Sequence, residues 1–254
     1  MQGLFDLAGR VILVTGATGG IGSEVALALA AHGARVVLHG RDAARLEALA
    51  ARVPGSVPVQ FDVTDHAAVA SSVDTLIARF GRIDGLFCIA AARDRRPLAE
   101  LDTDSYARLV AANLIAPYHL ARCVAPHMQA AGWGRIVMMT SLAQDMAMPG
   151  DAGYPSTKAG LAGLVRSLAV ELGKDGITVN GVSPGPIATE VNLPLGDDPK
   201  WAAMINRTIP LKRWGRPDEM SGVCVFLASE ASSYMTGQIL TLDGGASVRM
   251  FPMD

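Results

Sequence analysis

Short apolar segments rich in β-branched residues alternate along the chain with longer amphipathic segments. The short segments have the length and composition of buried strands, and the longer ones repeat apolar residues at helical spacing. The strand candidates are VILVT, ARVVLHG, VPVQFDV, DGLFCIA, RIVMMTS, ITVNGVS and QILTLDG. The helix candidates lie near 20–32, 42–52, 66–80, 104–131, 154–174 and 216–228.

This regular alternation predicts the fold class. Strands that alternate with helices form a mainly parallel sheet, and right-handed crossovers cover both of its faces with helices. We therefore predict an α/β protein with a doubly wound, mainly parallel, seven-stranded sheet of the Rossmann type. No tandem repeat, low-complexity tract or Pro/Ser-rich linker interrupts the pattern, so residues 1–254 are expected to form a single domain.

One segment, about 187–216, departs from the alternation. It mixes Pro, Gly and Asp with large apolar residues such as Trp201 and Trp214. Doubly wound proteins place a lid or a substrate wall in long connections at the carboxyl ends of their strands. The segment is therefore interpreted as a substrate loop, and the alternative is a surface excursion with a short helix.

Composition and charge narrow the possible partners. The 254 residues include 27 glycines, and 50% are hydrophobic but only 5% aromatic, which suits an α/β protein. The 22 basic and 24 acidic residues give a formal charge of -2 without a basic stripe, so nucleic acid and anionic membranes are not expected as partners. No charge-free apolar run reaches the roughly 18 residues that a membrane helix needs.

The cysteines and the first residues bear on location. Cys88, Cys123 and Cys224 are odd in number and far apart in apolar sequence, which indicates buried thiols in a reducing compartment. The start, MQGLFDLAGR, lacks the regions of a secretion signal. A cytoplasmic protein is expected. The five histidines show no metal-ligand spacing, so no metal site is predicted.

A glycine-rich stretch, TGATGGIG at 15–22, follows the first strand candidate and opens the first helix candidate. Gly16 allows a tight turn, Gly20 lets the backbone approach a pyrophosphate, and Gly22 lets the helix pack closely on the sheet. Free N–H groups at the helix start then bind the anion. The stretch predicts a dinucleotide site, and the alternative is a turn without a ligand.

A second stretch, YPSTK at 154–158, places a phenol and an ammonium on one helix face. Pro155 suits the first helical position, because its missing N–H has no intrahelical partner there. At about 4 Å and an effective dielectric constant of about 20, the charge of Lys158 favours phenolate by roughly 4 kcal/mol, or about three pKa units. Tyr154 would then serve as general acid or base near neutral pH. Without further motifs, such a pair indicates only a solvated helix surface.

Further motifs are present, and together they resemble the short-chain dehydrogenase/reductase family over nearly the whole chain. The glycine spacing matches T-G-x-x-x-G-I-G rather than G-x-G-x-x-G. The other matches are FDVTD at 61–65, Asn113 in AANLIAP, Ser141 after RIVMMTS, VNGVSPGPIAT at 179–189 and YMTGQILTLDGGAS near the C-terminus. The resemblance implies an oxidoreductase that interconverts a ketone, or a 3-oxoacyl group, and a secondary alcohol by hydride transfer.

The resemblance also implies catalytic roles. Tyr154 would be the general acid/base, and Lys158 would lower its pKa and hold the nicotinamide ribose. Ser141 would bind the carbonyl beside Tyr154, so these two residues form the expected substrate contacts, and Asn113 would order a water near Lys158. The related enoyl reductases carry the lysine seven residues after the tyrosine, where this chain has Leu161, so carbonyl chemistry is expected rather than C=C reduction.

The family pattern further implies a cofactor site, in which Asp62 contacts the adenine and PGPIAT at 184–189 the nicotinamide carboxamide. The predicted cofactor-binding residues are Gly16, Thr18, Gly19, Gly20, Ile21, Gly22, Arg41, Asp62, Val63, Ala90, Tyr154, Lys158, Pro184, Gly185, Ile187 and Thr189.

The end of the second strand candidate bears on the choice of cofactor. An acidic residue there normally binds the ribose hydroxyls of NAD, but here Gly40 stands in its place and Arg41 follows. A guanidinium suits the 2′-phosphate of NADP. NADP(H) is therefore predicted over NAD(H). The alternatives are a surface Arg41 beside a helix-capping Asp42, and an NAD-dependent enzyme.

One stretch departs from the family pattern. Relatives carry N-N-A-G after the fourth strand, whereas this chain has CIAA at 88–91. Apolar packing is expected to replace the lost hydrogen bonds, and a catalytically impaired nucleotide-binding homologue is the alternative to an active enzyme.

Two further expectations concern partners. The family implies a homotetramer, or a homodimer, formed through the helices near 104–131 and 154–174. No cationic clamp is evident in 142–153 or in the residues after Thr189, which favours an uncharged, moderately hydrophobic ketone or a 3-oxoacyl thioester as the small-molecule substrate.

Overall fold

Seven strands form one sheet in the computed structural model, which describes residues 3–190, 192 and 199–248. The strands are β1 Val11–Thr15, β2 Arg35–Gly40, β3 Val57–Gln60, β4 Gly85–Cys88, β5 Gly134–Met139, β6 Ile177–Pro184 and β7 Ile239–Leu242. Their order is β3-β2-β1-β4-β5-β6-β7, and every neighbouring pair is parallel. The predicted doubly wound α/β sheet is confirmed.

Helices connect the strands in the predicted alternation. The described α-helices are α1 Gly20–Ala31, α2 Ala43–Ala50, α3 His66–Phe80, α4 Thr103–Val110, α5 Ala116–Ala131, α6 Gly153–Leu172, α7 Pro199–Thr208 and α8 Ser221–Ala228. The predicted helix near 104–131 consists of α4 and α5 joined by a π-helical turn at Ala111–Ile115. Helix α7 lies within 187–216, a segment of which 191 and 193–198 fall outside the described residues.

Local sequence signals start and end several of these helices. Asp42, Asp65 and Asp102 each accept a hydrogen bond from the backbone N–H three residues later, at the starts of α2, α3 and α4. Such caps satisfy N–H groups that have no partner within the helix. Gly81 follows α3 with a left-handed φ of 72°, which ends that helix.

Apolar side chains cover both faces of the sheet. One layer packs the sheet against α3, α5 and α6, and the other packs it against α1, α2 and α8. Leu13 of β1 belongs to the first layer, whereas its neighbours Ile12 and Val14 belong to the second, as the alternation of side chains along a strand requires. Burial on both faces explains why the strands appear in the sequence as continuous apolar runs.

Parallel strands place all their carboxyl ends along one edge of the sheet. The glycine-rich turn follows β1, Arg41 follows β2, and Asp62 comes shortly after β3. Ser141 comes shortly after β5, and Gly185 follows β6. This edge therefore collects motifs that are far apart in the sequence.

The cysteines are all free thiols, and Cys88 and Cys224 are buried. Burial raises the pKa of each of these two thiols to about 12, so both stay protonated near neutral pH. Within the described ranges, no helix is long and apolar enough to cross a membrane. No group of three or more His, Cys, Asp or Glu side chains that could hold a metal ion occurs among the residues described.

Candidate active site

Tyr154 lies in the first turn of α6, next to the carboxyl end of β5. The helix begins at Gly153, so Pro155 is its third residue and not its first as predicted. The physical reason for the proline still holds, because no N–H in the first turn has an intrahelical partner. Ser141 lies close enough to Tyr154 to lower the pKa of its phenol. The structure thus brings the predicted phenol and hydroxyl together.

Lys158 lies one turn further along α6 and is 2% exposed. Its Nζ donates a hydrogen bond of 2.8 Å to the Met139 carbonyl and lies 5.5 Å from the centroid of the Tyr154 ring. Burial lowers the pKa of Lys158 to about 8. The buried lysine can therefore exchange a proton near neutral pH.

The net pKa shift at Tyr154 is opposite to the one expected from its spacing to Lys158. Burial raises the pKa of the phenol, while the charge of Arg93, the hydrogen bond to Ser141 and the charge of Arg95 act in the other direction. The expectation was wrong because it counted one cation and left out the cost of burying a phenolate.

Asn113 lies in the π-helical turn between α4 and α5 and is completely buried. Its Oδ1 accepts a hydrogen bond of 2.8 Å from the Ala92 N–H. Its Nδ2 donates to the Ala92 carbonyl at 2.9 Å and to Thr157 Oγ1 at 3.1 Å. The amide is thus satisfied on both atoms, and it joins the chain after β4 to α6.

The glycine-rich turn forms a cradle at the start of α1. Gly16 has a left-handed φ of 67°, and a Cβ at Gly22 would lie 2.2 Å from the Gly16 carbonyl oxygen. A Cβ at Gly20 would lie 3.1 Å from Thr189, so the stretch after β6 folds back over the turn. The first N–H groups of α1 have no intrahelical partner. This arrangement fits the pyrophosphate of a dinucleotide.

Arg41 and Asp62 lie at the ends of the two strands beyond β1. Asp62 Oδ1 accepts hydrogen bonds from the N–H and the hydroxyl of Thr64, at 2.8 and 2.7 Å. These bonds lower the pKa of the Asp62 carboxyl, and the charge of Arg41 adds to the shift. Both predicted residues therefore share one corner of the sheet edge.

A second guanidinium reaches this corner from α2. Arg45 Nη2 donates a hydrogen bond of 2.9 Å to the Thr18 carbonyl in the glycine-rich turn and lies 2.8 Å from a carboxylate oxygen of Glu190. The sequence predicted Arg41 alone, because nothing local indicates that Arg45 folds back onto a turn 27 residues earlier.

His39 of β2 supports the glycine-rich turn from the sheet side. Its Nδ1 accepts a hydrogen bond of 3.3 Å from the Gly16 N–H, and its Nε2 donates one of 2.9 Å to the Phe61 carbonyl. The two bonds together require a neutral imidazole with its proton on Nε2. Burial lowers the pKa of His39, which favours that neutral form. Its place in an apolar strand candidate was the available signal for this role.

Comparisons with known proteins support the family resemblance. A family model described as enoyl-(acyl carrier protein) reductase, from the short-chain dehydrogenase/reductase family, matches residues 16–247. Gluconate 5-dehydrogenase of Gluconobacter oxydans is 38% identical over 252 residues, which cover 97% of this chain and 98% of the relative. The 3-oxoacyl-[acyl-carrier-protein] reductase of Rickettsia bellii is 34% identical over 242 residues, covering 95% and 98%.

A solved structure is similar over the same length. It is a gluconate 5-dehydrogenase from Burkholderia cenocepacia in complex with NADP and tartrate, 35% identical, with a TM-score of 0.94 and coverage of 98% of this chain and 99% of that one. The chain belongs to the short-chain dehydrogenase/reductase family. It is therefore a dehydrogenase/reductase enzyme, and the resemblance predicted from its motifs is confirmed.

The CIAA stretch, in which this short-chain dehydrogenase/reductase departs from the family pattern, is held by polar contacts. Thr15 Oγ1, at the end of β1, accepts hydrogen bonds from the N–H groups of Ile89 at 3.1 Å and Ala90 at 3.4 Å. A Cβ at Gly16 would lie 2.7 Å from the backbone of Ala90. Apolar packing is also present, as expected, because Cys88 and Ala90 pack in one apolar layer and Ile89 in the other, while Thr15 and Asn113 bind backbone groups of this segment and of Ala92.

Two arginines between β4 and α4 also face Tyr154. The guanidinium carbon of Arg93 lies 4.5 Å from the centroid of the Tyr154 ring, and Arg93 forms an ion pair with Asp151. The charge of Arg95 also acts on the phenol. No cationic clamp was expected in 142–153 or after Thr189, and these two arginines lie in neither segment but in the basic run that follows β4.

The neutral His39 predicts a specific dependence of stability on pH. Its pKa is lowered in the folded protein from 6.5, so as pH falls below 6.5 the unfolded chain takes up a proton before the folded one does. We expect the contribution of His39 to the free energy of unfolding, measured by urea denaturation, to be fully present above pH 6.5 and to decrease as pH falls below that value. His39→Gln should remove this contribution from the dependence of the unfolding free energy on pH. His32→Gln, which removes an exposed imidazole, should leave that dependence unchanged. An unchanged slope in His39→Gln would contradict the assignment.

Proposed function

We propose that the chain is an NADP(H)-dependent oxidoreductase that interconverts a ketone and a secondary alcohol, with Tyr154 as general acid/base. One observation carries the proposal: Ser141, Tyr154 and Lys158 meet at the edge of the sheet that also carries the dinucleotide cradle. The nicotinamide supplies or accepts the hydride. The similarity to a gluconate 5-dehydrogenase solved with NADP supports the proposal.

The side chains of the site supply the proton and hold the substrate. A carbonyl oxygen between the hydroxyls of Ser141 and Tyr154 would accept two hydrogen bonds, which stabilise the negative charge that develops during reduction. The phenol of Tyr154 then donates its proton to that oxygen, and alcohol oxidation returns the proton. Lys158 would hold the nicotinamide ribose, and Asn113 keeps the helix that carries both residues attached to the chain after β4.

The corner after β2 and α2 favours NADP(H) over NAD(H). Gly40 leaves this strand end without the carboxylate that would repel a 2′-phosphate. Arg41 follows directly, and Arg45 adds a second guanidinium next to the Thr18 carbonyl. Two guanidinium groups provide the forked donors that a phosphate accepts.

Other predicted residues would hold the remainder of the cofactor. The first turn of α1 would bind the pyrophosphate, Asp62 and Val63 would border the adenine, and Ala90 would border the nicotinamide ribose. The residues that would surround the nicotinamide from β6 and the following stretch are Pro184, Gly185, Ile187 and Thr189.

For the substrate we propose a hydroxylated carboxylic acid of the sugar-acid class. Arg95 forms no ion pair with a carboxylate in the described part of the chain, and its Nη2 donates a hydrogen bond of 3.3 Å to Asn192 Oδ1. Arg95 is exposed to solvent, and partial desolvation and the charge of Arg93 lower its pKa, so a substrate carboxylate would be a favourable ion-pair partner for it. The gluconate 5-dehydrogenase relatives support this class.

A 3-oxoacyl group is the second candidate substrate. It is supported by the similarity to the 3-oxoacyl-[acyl-carrier-protein] reductase of Rickettsia bellii. The description of the matching family model names an enoyl reductase, which would reduce a C=C bond. Carbonyl chemistry is nevertheless proposed here, because Leu161 and not lysine stands seven residues after Tyr154.

We also propose the setting in which the enzyme works. Residues 1–254 would form one domain in which 187–216 border the substrate. A cytoplasmic homotetramer, or homodimer, is supported by three free cysteines and by exposed apolar side chains such as Tyr118 of α5 and Val170 of α6.

Tyr154→Phe tests the catalytic proposal. Because the variant lacks the proton that moves, kcat is expected to fall by about 10²- to 10⁴-fold while NADP⁺ still binds. The measurement is the absorbance of reduced nicotinamide with a panel of ketones and secondary alcohols, alongside Tyr234→Phe, which alters a fully exposed phenol. Full activity in Tyr154→Phe would exclude this mechanism. Bound cofactor without turnover of any substrate by the unaltered enzyme would indicate the impaired homologue.

Arg41→Ala tests the cofactor preference. Losing a charged hydrogen bond to the 2′-phosphate costs about 2 kcal/mol, so the Kd for NADP⁺ should rise by about thirtyfold. The Kd for NAD⁺, measured in the same titration, should stay the same. Arg35→Ala, at the opposite end of β2, is the matched control. Equal Kd values for the two cofactors in the unaltered enzyme would contradict the preference.

Arg95→Gln tests the substrate class. If Arg95 binds a carboxylate, KM for hydroxy-acid anions should rise by about thirtyfold, equivalent to about 2 kcal/mol, while KM for uncharged polyols is unchanged. Arg96→Gln is the control, because Arg96 is already paired with Asp94 and Asp102. Faster turnover of 3-oxoacyl thioesters than of hydroxy acids, with no effect of Arg95→Gln, would favour the second candidate.

A further inference from the structure

Two cations lie near the Tyr154 ring, and they come from different parts of the fold. Lys158 Nζ, one turn later in α6, is 5.5 Å from the ring centroid. The guanidinium carbon of Arg93, in the segment after β4, is 4.5 Å from the same centroid. Arg93 is thus at least as close to the phenol ring as the lysine of the YPSTK stretch.

Asp151 holds the Arg93 guanidinium in this place. Asp151 is 4% exposed, and its Oδ2 accepts a hydrogen bond from Arg93 Nη2. Its Oδ1 is buried without a hydrogen-bond partner among the described residues. A buried carboxylate with one unsatisfied oxygen destabilises a fold unless something compensates for it. Placing this ion pair beside the phenol of Tyr154 therefore reduces the free energy of unfolding.

We propose that Arg93 is a positioning residue for proton transfer, which Asp151 holds against Tyr154 so that its positive charge favours the phenolate form of that tyrosine. This inference rests on the proposed function, since it assigns Arg93 to the general acid/base step of the same site. It does not require that Arg93 touch the substrate.

The charged and titratable groups around the phenol are consistent with this role. Arg93 and Arg95 face it from the segment after β4, Asp151 from the segment before α6, and Lys158 from α6 itself. Apart from the raising effect of burial, the charge of Arg93 has the largest influence on the pKa of Tyr154, and it exceeds the opposing influence of Asp151. The ion pair therefore acts as an oriented dipole with its positive end toward the ring.

Arg93 also provides a positive charge at pH values where Lys158 loses its own. The Lys158 ammonium donates to the Met139 carbonyl, and burial lowers its pKa to about 8, so it loses its charge as pH rises past that value. A guanidinium stays charged across this range. Arg93 is thus a cation that can still stabilise phenolate above that pH.

The experiment compares Arg93→Gln and Arg93→Lys with the unaltered enzyme. The first readout is kcat/KM for alcohol oxidation as a function of pH, and the second is the ultraviolet titration of Tyr154, taken as the difference from Tyr154→Phe. Arg93→Gln should shift both curves to higher pH by about one unit, so that activity near neutral pH falls about tenfold while the alkaline plateau remains. Arg93→Lys should restore at least half of the shift.

Two further variants keep the result interpretable. Arg93→Gln/Asp151→Asn removes both charges, so no buried carboxylate is left unpaired, and it should still shift the curves to higher pH. Arg166→Gln removes an exposed guanidinium from α6 and should shift nothing. Unshifted curves in Arg93→Gln and in the double variant would overturn the proposal. A higher KM at every pH without a shift would also overturn it, by making Arg93 a substrate contact.

The two readouts separate this inference from the proposed function. If no alcohol or ketone is turned over, the proposed function fails, but the ultraviolet titration still decides whether Arg93 favours the phenolate of Tyr154.

Discussion

The amide of Asn113 is the contact on which the arrangement of the site depends. It binds both the N–H and the carbonyl of Ala92, and it also donates to Thr157. The residue next to Thr157 is Lys158, and Tyr154 lies one turn earlier in the same helix. One buried side chain thus joins the chain after β4 to the helix that carries both proposed catalytic groups. The π-helical turn at Ala111–Ile115 contains this amide, and such turns occur frequently at functional sites.

Burial acts on the two central side chains in opposite directions. It raises the pKa of the Tyr154 phenol and lowers that of the Lys158 ammonium, because a low-dielectric environment disfavours the charged form of each. Because the phenol starts at 10.0 and the ammonium at 10.5, the two pKa values move apart, and burial favours the neutral form of each side chain. Phenolate therefore needs additional positive charge, and the guanidinium carbon of Arg93 lies 4.5 Å from the centroid of the ring.

The nucleotide side of the sheet edge relies on backbone geometry more than on charge. Gly16 lies close to Ala90, and Gly20 lies close to Thr189. His39 accepts a hydrogen bond from the Gly16 N–H, so three neighbouring segments enclose the turn. Thr15 holds the end of β4 by its hydroxyl. A chain without the family's usual asparagines can therefore keep the same backbone path, because main-chain groups there find other partners.

The sequence by itself determined the doubly wound sheet, the position of the glycine-rich turn and the spacing of Tyr154 and Lys158. These features depend on periodicity, on capping residues such as Asp65 and Gly81, and on short motifs, all of which are local. The sequence did not predict the hydrogen bonds of the Asn113 side chain, because their partners lie 21 and 44 residues away.

Only the tertiary structure decided the electrostatics of the site. The sign of the Tyr154 shift depends on how deeply the phenol is buried and on Arg93 and Asp151, which are 58 residues apart. Arg45 likewise reaches the glycine-rich turn from a separate helix. Desolvation and Coulomb forces depend on distance through space, and sequence separation does not reveal that distance until the sheet brings its strand ends together.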